Sequence, residues 1–241
     1  MGDVRIGTSG WAYKDWNGPF YPDEVKARDR LAYISGRFPT LEINASFYRM
    51  PTDKAVASWR DQTPADFLFA WKASRYITHN KKLKDCQDSV DLVFGRMAPL
   101  GDTQGPALVQ LPPQLRRNDE RLETFIGWLP KGVRAAFEFR HPSWYEQAVF
   151  DLLARHDCAF VISDHHSAPA PSVVTAGWVY WRGHGPGGRY RGSYSDEALA
   201  ALARDIEGWG RRGLDVFAYF DNDIKSAAPH DALRLKGLLG H

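Results

Sequence analysis

Eight short apolar segments, each closing on a polar or charged residue and mostly separated by helix-forming sequence, constrain the fold of this chain more than any other feature. The clearest runs from Val133 to Trp144, VRAAFEFRHPSW. Ala135, Phe137 and Phe139 alternate with Ala136, Glu138 and Arg140, the period of a pleated strand. One face is bulky and aromatic, while the other runs small, acidic, basic. His141-Pro142 ends the strand, since proline cannot donate to the ladder. Ser143 and Glu146 then read as a capping box opening a helix to about His156. A carboxylate and a guanidinium therefore finish one strand together at a strand-to-helix turn, the edge where α/β folds bind ligands.

The other strands are predicted at Val4–Gly7, Thr40–Asn44, Phe67–Lys72, Pro106–Leu111, Cys158–Ser163, Gly177–Arg182 and Asp215–Phe220. Helices are predicted from Asp23 to Gly36, from a Thr52 cap through Gln62, from about Asp85 to Met97, and from an Asn118 cap through Leu129. Two more run from a Ser195 cap to about Trp209 and from about Asp231 to Leu239. The stretch from Ser167 to Ala176, rich in proline and small residues, offers no helix. Strands alternating with helices imply parallel pairing through right-handed crossovers. Eight such units close into a TIM-type (β/α)8-like barrel of the α/β class, its helix after the sixth strand missing or degenerate, with residues 1–241 as a single barrel domain. An open doubly wound sheet is the alternative, but no dinucleotide-binding glycine fingerprint follows the first strand.

With 44% hydrophobic and 25% charged residues, the chain can bury a large core. A net charge of +2 supplies no global field for nucleic acid. No apolar run approaches the ~20 residues of a membrane span, so no membrane partner is expected. A strand starts almost at once with no signal peptide, and Cys86 and Cys158 show neither disulfide nor zinc spacing. A reduced, cytoplasmic protein is the expectation.

The functional reading rests on the strand ends. In order they carry Thr8, Glu42 with Asn44, Lys72, Gln110, Glu138 with Arg140, Asp164, Arg182 with His184, and Asn222 with Asp223. Long ionisable groups in apolar strands are costly to bury unless they pair or meet a ligand. The ring therefore implies a pocket for a small anionic ligand, phosphorylated or carboxylated. Lys72, Arg140 and Arg182 would hold the anion, arginine in bidentate fashion. Glu42 and Glu138, with His184, are the acid/base candidates for a hydrolase or a lyase/isomerase. Thr8, Asn44, Gln110, Asp164 and Asn222 would orient the ligand, and Trp11 and Tyr48 of the aromatic loops would contact it. The glycine-rich run from Gly183 to Gly188 could offer backbone N–H groups to an oxyanion. Glu42, Asp164, His184 and Asp223 could hold a divalent metal, but no metal motif is present, so metal is not favoured and the cofactor stays open. The pair His165-His166 reads as a solvated loop. Two alternatives compete: a nucleic-acid or nucleotide binder stacking bases on Trp11, Trp16 and Tyr48, with Lys81, Lys82 and Lys84 on phosphates, and a non-catalytic metabolite sensor.

The chain resembles the YecE-like family, the domain of unknown function numbered seventy-two, through motifs spread over almost its whole length. Gly7-Thr8-Ser9-Gly10-Trp11 with Tyr13, Trp16, Gly18 and Phe20-Tyr21-Pro22 matches the opening signature. Glu42-Ile43-Asn44 with Ser46-Phe47-Tyr48-Arg49 and Pro51 matches the second. Lys72 with Ile77-Thr78-His79, Gln110-Leu111-Pro112-Pro113, and Glu138-Phe139-Arg140-His141-Pro142-Ser143-Trp144 follow in order. Arg182 with His184-Gly185, and Tyr219-Phe220 with Asn222-Asp223, complete the set. The resemblance implies a TIM-type barrel with these residues at its mouth and brings no established activity. Asp221 and Asp231 stand where the family usually shows asparagine, and Gly183 replaces a bulkier residue.

Overall fold

Eight parallel strands pair in chain order and close into a barrel, the last returning to the first. They are β1 (Val4–Ser9), β2 (Thr40–Ile43), β3 (Leu68–Lys72), β4 (Gln104–Gln110), β5 (Ala135–Glu138), β6 (Ala159–Ser163), β7 (Trp178–Gly183) and β8 (Asp215–Phe220). The structure is a computed structural model and describes residues 1–240. Around the barrel lie α1 (Arg30–Ser35), α2 (Ala45–Tyr48), α3 (Asp53–Asp61), α4 (Gln87–Met97), α5 (Asp119–Gly127), α6 (Gln147–Arg155), α7 (Asp196–Arg211) and α8 (Ala227–Leu238). This is the predicted TIM-type architecture. The chain joining β6 to β7 carries only turns and extended backbone. No helix among the described residues is long and apolar enough to cross a membrane.

Period-two alternation sorts the strand residues into two cores. Ala70, Leu108, Ala136, Ala159, Val161, Trp178, Tyr180, Phe217 and Tyr219 fill the barrel. Leu41, Ile43, Trp71, Val109, Phe137 and Phe139 point outward into the helix shell. Counted on to the strand ends, the same alternation turns Ser9, Glu42, Lys72, Gln110, Glu138, Ser163 and Arg182 inward. It turns Thr8 outward, beside Leu41 and Phe220.

The predicted caps at Thr52, Asn118 and Ser195 form, accepting from the N–H groups of Ala55, Arg121 and Ala198 at 3.2, 2.8 and 3.2 Å. The capping box at Ser143 does not. Ser143 Oγ instead accepts from the Arg117 N–H at 3.0 Å, and Trp144 stacks on Phe139 at 4.7 Å while donating to Leu115 O. These contacts hold Pro142–Trp144 as a separate 3-10 turn, with His141 Nδ1 accepting from the Ser143 N–H, and delay α6 to Gln147. The first predicted helix is likewise shortened, to a 3-10 turn at Ala27–Asp29 followed by α1. The last begins a turn early, at Ala227.

The closure of β1 on β2 leaves no room at Gly7, where an added Cβ would lie 2.0 Å from Thr40 O. Gly7→Ala must therefore push the two strands apart. We expect a loss of about 3 kcal/mol in urea unfolding, at the upper end of overpacking costs. A midpoint matching the parent chain would contradict this register.

Candidate functional site

At the C-terminal end of the barrel the inward side chains meet around Arg182, which is fully buried. Its Nε donates to Glu42 Oε2 at 3.1 Å, and Nη2 donates to Glu42 Oε1 at 2.7 Å and Asp221 Oδ2 at 2.8 Å. Nη1 donates to Glu138 Oε2 at 2.9 Å and faces His184 Nε2 at 3.2 Å. All five N–H groups of the guanidinium are thereby spent on three carboxylates and an imidazole. Ser9 Oγ also lies 3.0 Å from Nη2 and donates to Glu42 Oε1. Tyr180 OH donates to Glu42 Oε2 at 2.6 Å.

The charges set one another. Burial alone would raise the pKa of Glu42, but Arg182 outweighs it, and the group ends below its ordinary value. Burial is likewise outweighed at Glu138, by Arg140 and then Arg182, and its carboxyl lies well below the usual carboxylate range. Burial disfavours the Arg182 charge, yet Glu42, Asp221 and Glu138 hold it firmly protonated. Carboxylates held this way are ionised at neutral pH and pinned to the guanidinium. Every donor of Arg182 faces a protein acceptor.

Arg140 joins from β5's outgoing turn. Its Nη2 meets Glu138 Oε1 at 2.5 Å and His184 Nε2 at 3.1 Å. With two guanidinium groups aimed at it, Nε2 of His184 is the accepting nitrogen, so the proton sits on Nδ1, 3.2 Å from Asp164 Oδ1. Asp164 Oδ1 also accepts from the His184 N–H at 2.6 Å, and Oδ2 accepts from Tyr194 OH. His184 is fully buried and positions the guanidinium groups without reaching the opening. Arg140 is different: Nη1 has only a 3.5 Å contact to Tyr190 OH, and buried Nε has no partner.

Lys72 closes β3 and is half-buried, its Nζ 4.5 Å from the Phe47 ring centre. Among the described residues no carboxylate forms an ion pair with it. Burial, and next the Arg182 charge, push its pKa down to about 8. His79 flanks the same Phe47 ring at 5.1 Å and lies on a wide π-type turn, Tyr76–Asn80. Burial and then Lys72 push His79 down to about 4, so it is neutral at pH 7. Thr78 Oγ1 donates to Ser74 O at 3.2 Å and so accepts from His79 Nδ1 at 2.9 Å. That leaves His79 Nε2 as a bare proton acceptor.

Other expected residues fall elsewhere. Thr8 Oγ1 donates to Gly10 O at 2.8 Å, and Ser9 takes its place in the network. Asn222 turns away toward α8, donating to Asp231 Oδ2 at 2.8 Å, and Asp221 is the residue that faces inward. Gln110 reaches no further than Leu111 O at 3.5 Å. Asn44 Nδ2 donates to Ser9 Oγ at 3.1 Å, with its buried Oδ1 unpartnered. Trp11 is half-buried and packs edge-on against Trp59 of α3, 6.0 Å between centres, whereas Trp16 is fully buried, donates to Asp223 O and is not free to stack on a base. Tyr48 stands 80% exposed on α2, outside the network. In the glycine run, the N–H groups of Gly185 and Gly188 already donate to Tyr194 OH and Gly185 O. The His165-His166 pair is not a solvated loop throughout: His165 is buried against His184 and Tyr190. Among the described residues no group of three or more His, Cys, Asp or Glu is placed to hold a metal ion. Ser9, Tyr180, His79, Ser163 and Asp221 were not marked by polarity near a strand end. Strand parity counted from Glu138 would have found Ser9, Ser163 and Tyr180.

A closed parallel barrel with a charged cluster at its C-terminal end defines a TIM-type barrel protein. The chain belongs to the family described as "Protein of unknown function DUF72", whose profile matches residues 5–241. YecE of Escherichia coli (strain K12) is 34% identical over 144 residues, which cover 59% of this chain and 50% of that protein, so the match spans about half the length of that relative. YunF of Bacillus subtilis (strain 168) is 26% identical over 274 aligned positions, covering 98% of this chain and 94% of that one. The crystal structure of a DUF72 family protein from Thermotoga maritima MSB8 superposes with a TM-score of 0.90 at 28% identity, covering 99% of this chain and all of that one.

Because Arg182 is the counter-charge for three acids, Arg182→Met should cost about 3–5 kcal/mol at pH 7, the usual penalty for stranding buried charge. Glu42 and Glu138 have folded pKa values below their ordinary 4.5, so their stabilisation is full above 4.5 and is lost as the pH falls from there through the lower folded values. The deficit of Arg182→Met should therefore shrink at pH 4, where its carboxyls take up protons. Urea unfolding at both pH values reads this, and an equal deficit at both would contradict the charge account.

Proposed function

We propose that the barrel mouth is the active site of an enzyme that binds a small anionic substrate and acts on it by proton transfer. The observation that carries this reading is the division of the cations. Arg182 is spent, whereas Lys72 has no acid partner and Arg140 keeps unmet donors at Nε and Nη1. A buried donor without a partner costs free energy that a ligand oxygen would recover. An ammonium and a guanidinium in that state suit a carboxylate or a phosphate.

The acid/base work then passes from the glutamates to groups that exchange protons near neutrality. Lys72, with its pKa pushed down to about 8, meets that need, while His79, pushed down to about 4, stays neutral beside it as a hydrogen-bond acceptor. Glu42, Glu138 and Asp221 hold Arg182 in place as a fixed charge beneath them. This favours a lyase or isomerase over a hydrolase built on two carboxylates. Exposed Tyr48 and Tyr76, with Lys81 6.0 Å from the Tyr76 ring centre, favour a second reading in which the anion is the phosphate of a nucleotide.

Titration calorimetry with sulfate and malonate is the test. We expect saturable binding that weakens about tenfold or more in Lys72→Met and in Arg140→Met, the loss of one charged hydrogen bond. Binding by the parent chain should weaken as the pH rises through about 8 and Lys72 loses its charge. Absence of saturable binding, or indifference to both substitutions, would overturn the reading.

A further inference from the structure

We propose that Lys72 is a nucleophile that forms an iminium with the carbonyl group of its substrate, so that the mouth takes a small oxo compound carrying a carboxylate or phosphate. The inference rests on the anion reading above and narrows it to a class of substrate.

Three observations converge on it. Lys72 is the last residue of β3, aimed into the mouth and seated over the Phe47 ring, with no carboxylate to fix it as an ammonium. A lysine kept for structure at this depth would be paired with an acid. Here Glu138, Asp221 and Glu42 are close enough to affect its charge, yet all three are turned to Arg182. The amine is therefore populated near neutral pH, as covalent catalysis by lysine requires. Second, His79 contacts the same ring with Nδ1 donating to Thr78, which leaves Nε2 as a neutral acceptor for a hydrogen bond from the carbinol hydroxyl. Third, the free Nε and Nη1 of Arg140 offer a fork for the anionic end of the substrate.

The chemistry balances without a redox partner. Near pH 8 the ammonium gives up its proton to solvent, and the Nζ lone pair adds to the carbonyl carbon. A C–N bond forms while the C=O π pair moves to oxygen, which takes up a proton from solvent. In the second stage a proton passes from nitrogen to the hydroxyl by way of solvent, the C–O bond breaks, and water leaves. Overall, one ammonium and one carbonyl give one iminium and one water. The electron-poor iminium then acidifies the neighbouring carbon, which suits lyase or isomerase chemistry.

The test is reductive trapping on the full chain. Pyruvate, glyoxylate and dihydroxyacetone phosphate are each incubated with cyanoborohydride, and adducts are mapped by peptide mass spectrometry. We expect one preferred adduct at Lys72, formed faster as the pH rises through about 8 and suppressed by malonate. Preference for the oxo acids or for the phosphorylated ketone identifies the anionic group. Lys72→Arg keeps the charge and should retain sulfate and malonate binding while losing the adduct; Lys72→Met should lose the adduct and weaken both anions about tenfold or more. Adducts spread over the surface lysines, with none favoured at Lys72, would overturn the inference. If malonate still bound in that case, the anion reading would stand alone; if it did not, both would fall.

Discussion

One guanidinium with no water left to it organises the mouth of this barrel. Arg182 is held by Glu42, Glu138 and Asp221, which arrive on three different strands or their outgoing turns. Replacing such a buried cluster with apolar side chains is often neutral for stability, but breaking it is costly. Its consequence here is positional: each carboxylate is locked in one orientation and held ionised. The same cluster turns His184 into an acceptor, and His184 passes the constraint to Asp164 and Tyr194. What is left outside it, Lys72 and part of Arg140, is what a ligand can meet.

Asp221, Asp231 and Gly183 fit this frame. Asp221 supplies the third carboxylate to Arg182, where an amide would supply no charge. Asp231 accepts from Asn222 Nδ2 and the Tyr194 N–H and pairs with Arg234 at 2.9 Å, tying α8 to the turn ahead of α7. At Gly183 a Cβ would stand 2.2 Å from the Trp181 ring and 2.7 Å from Tyr194 OH. Those two rings occupy the room that a bulkier residue would need. The last wall of the mouth is thus built from acids and rings.

The barrel was legible because alternation survives in every strand, and Asp215–Phe220 matches β8 residue for residue. Local sequence also marked three caps correctly. It misled at Ser143, where the burial of Trp144 under Phe139 overrides an otherwise sound capping pattern. At the site, polarity near a strand end was too coarse a guide. Outward residues there also need hydrogen bonds, so Thr8, Asp164 and Asn222 look like Ser9, Ser163 and Asp221 until the pleat is counted. The saturation of Arg182 was not legible at all. Its partners Ser9, Glu42, Glu138 and Asp221 lie 173, 140, 44 and 39 residues away, and only closure of the barrel brings them together.

The account stands on the separation of a spent guanidinium from an open amine, and the ionisation of Lys72 measures that separation most directly. Lysine labelled with 13C at Cε can be followed by NMR across the pH range in the ligand-free chain. One resonance should titrate near 8, well below the ordinary 10.5, and should vanish in Lys72→Met. If every lysine titrated at the ordinary value, Lys72 would be an ordinary solvated ammonium, and the division of charge described for the mouth would be wrong.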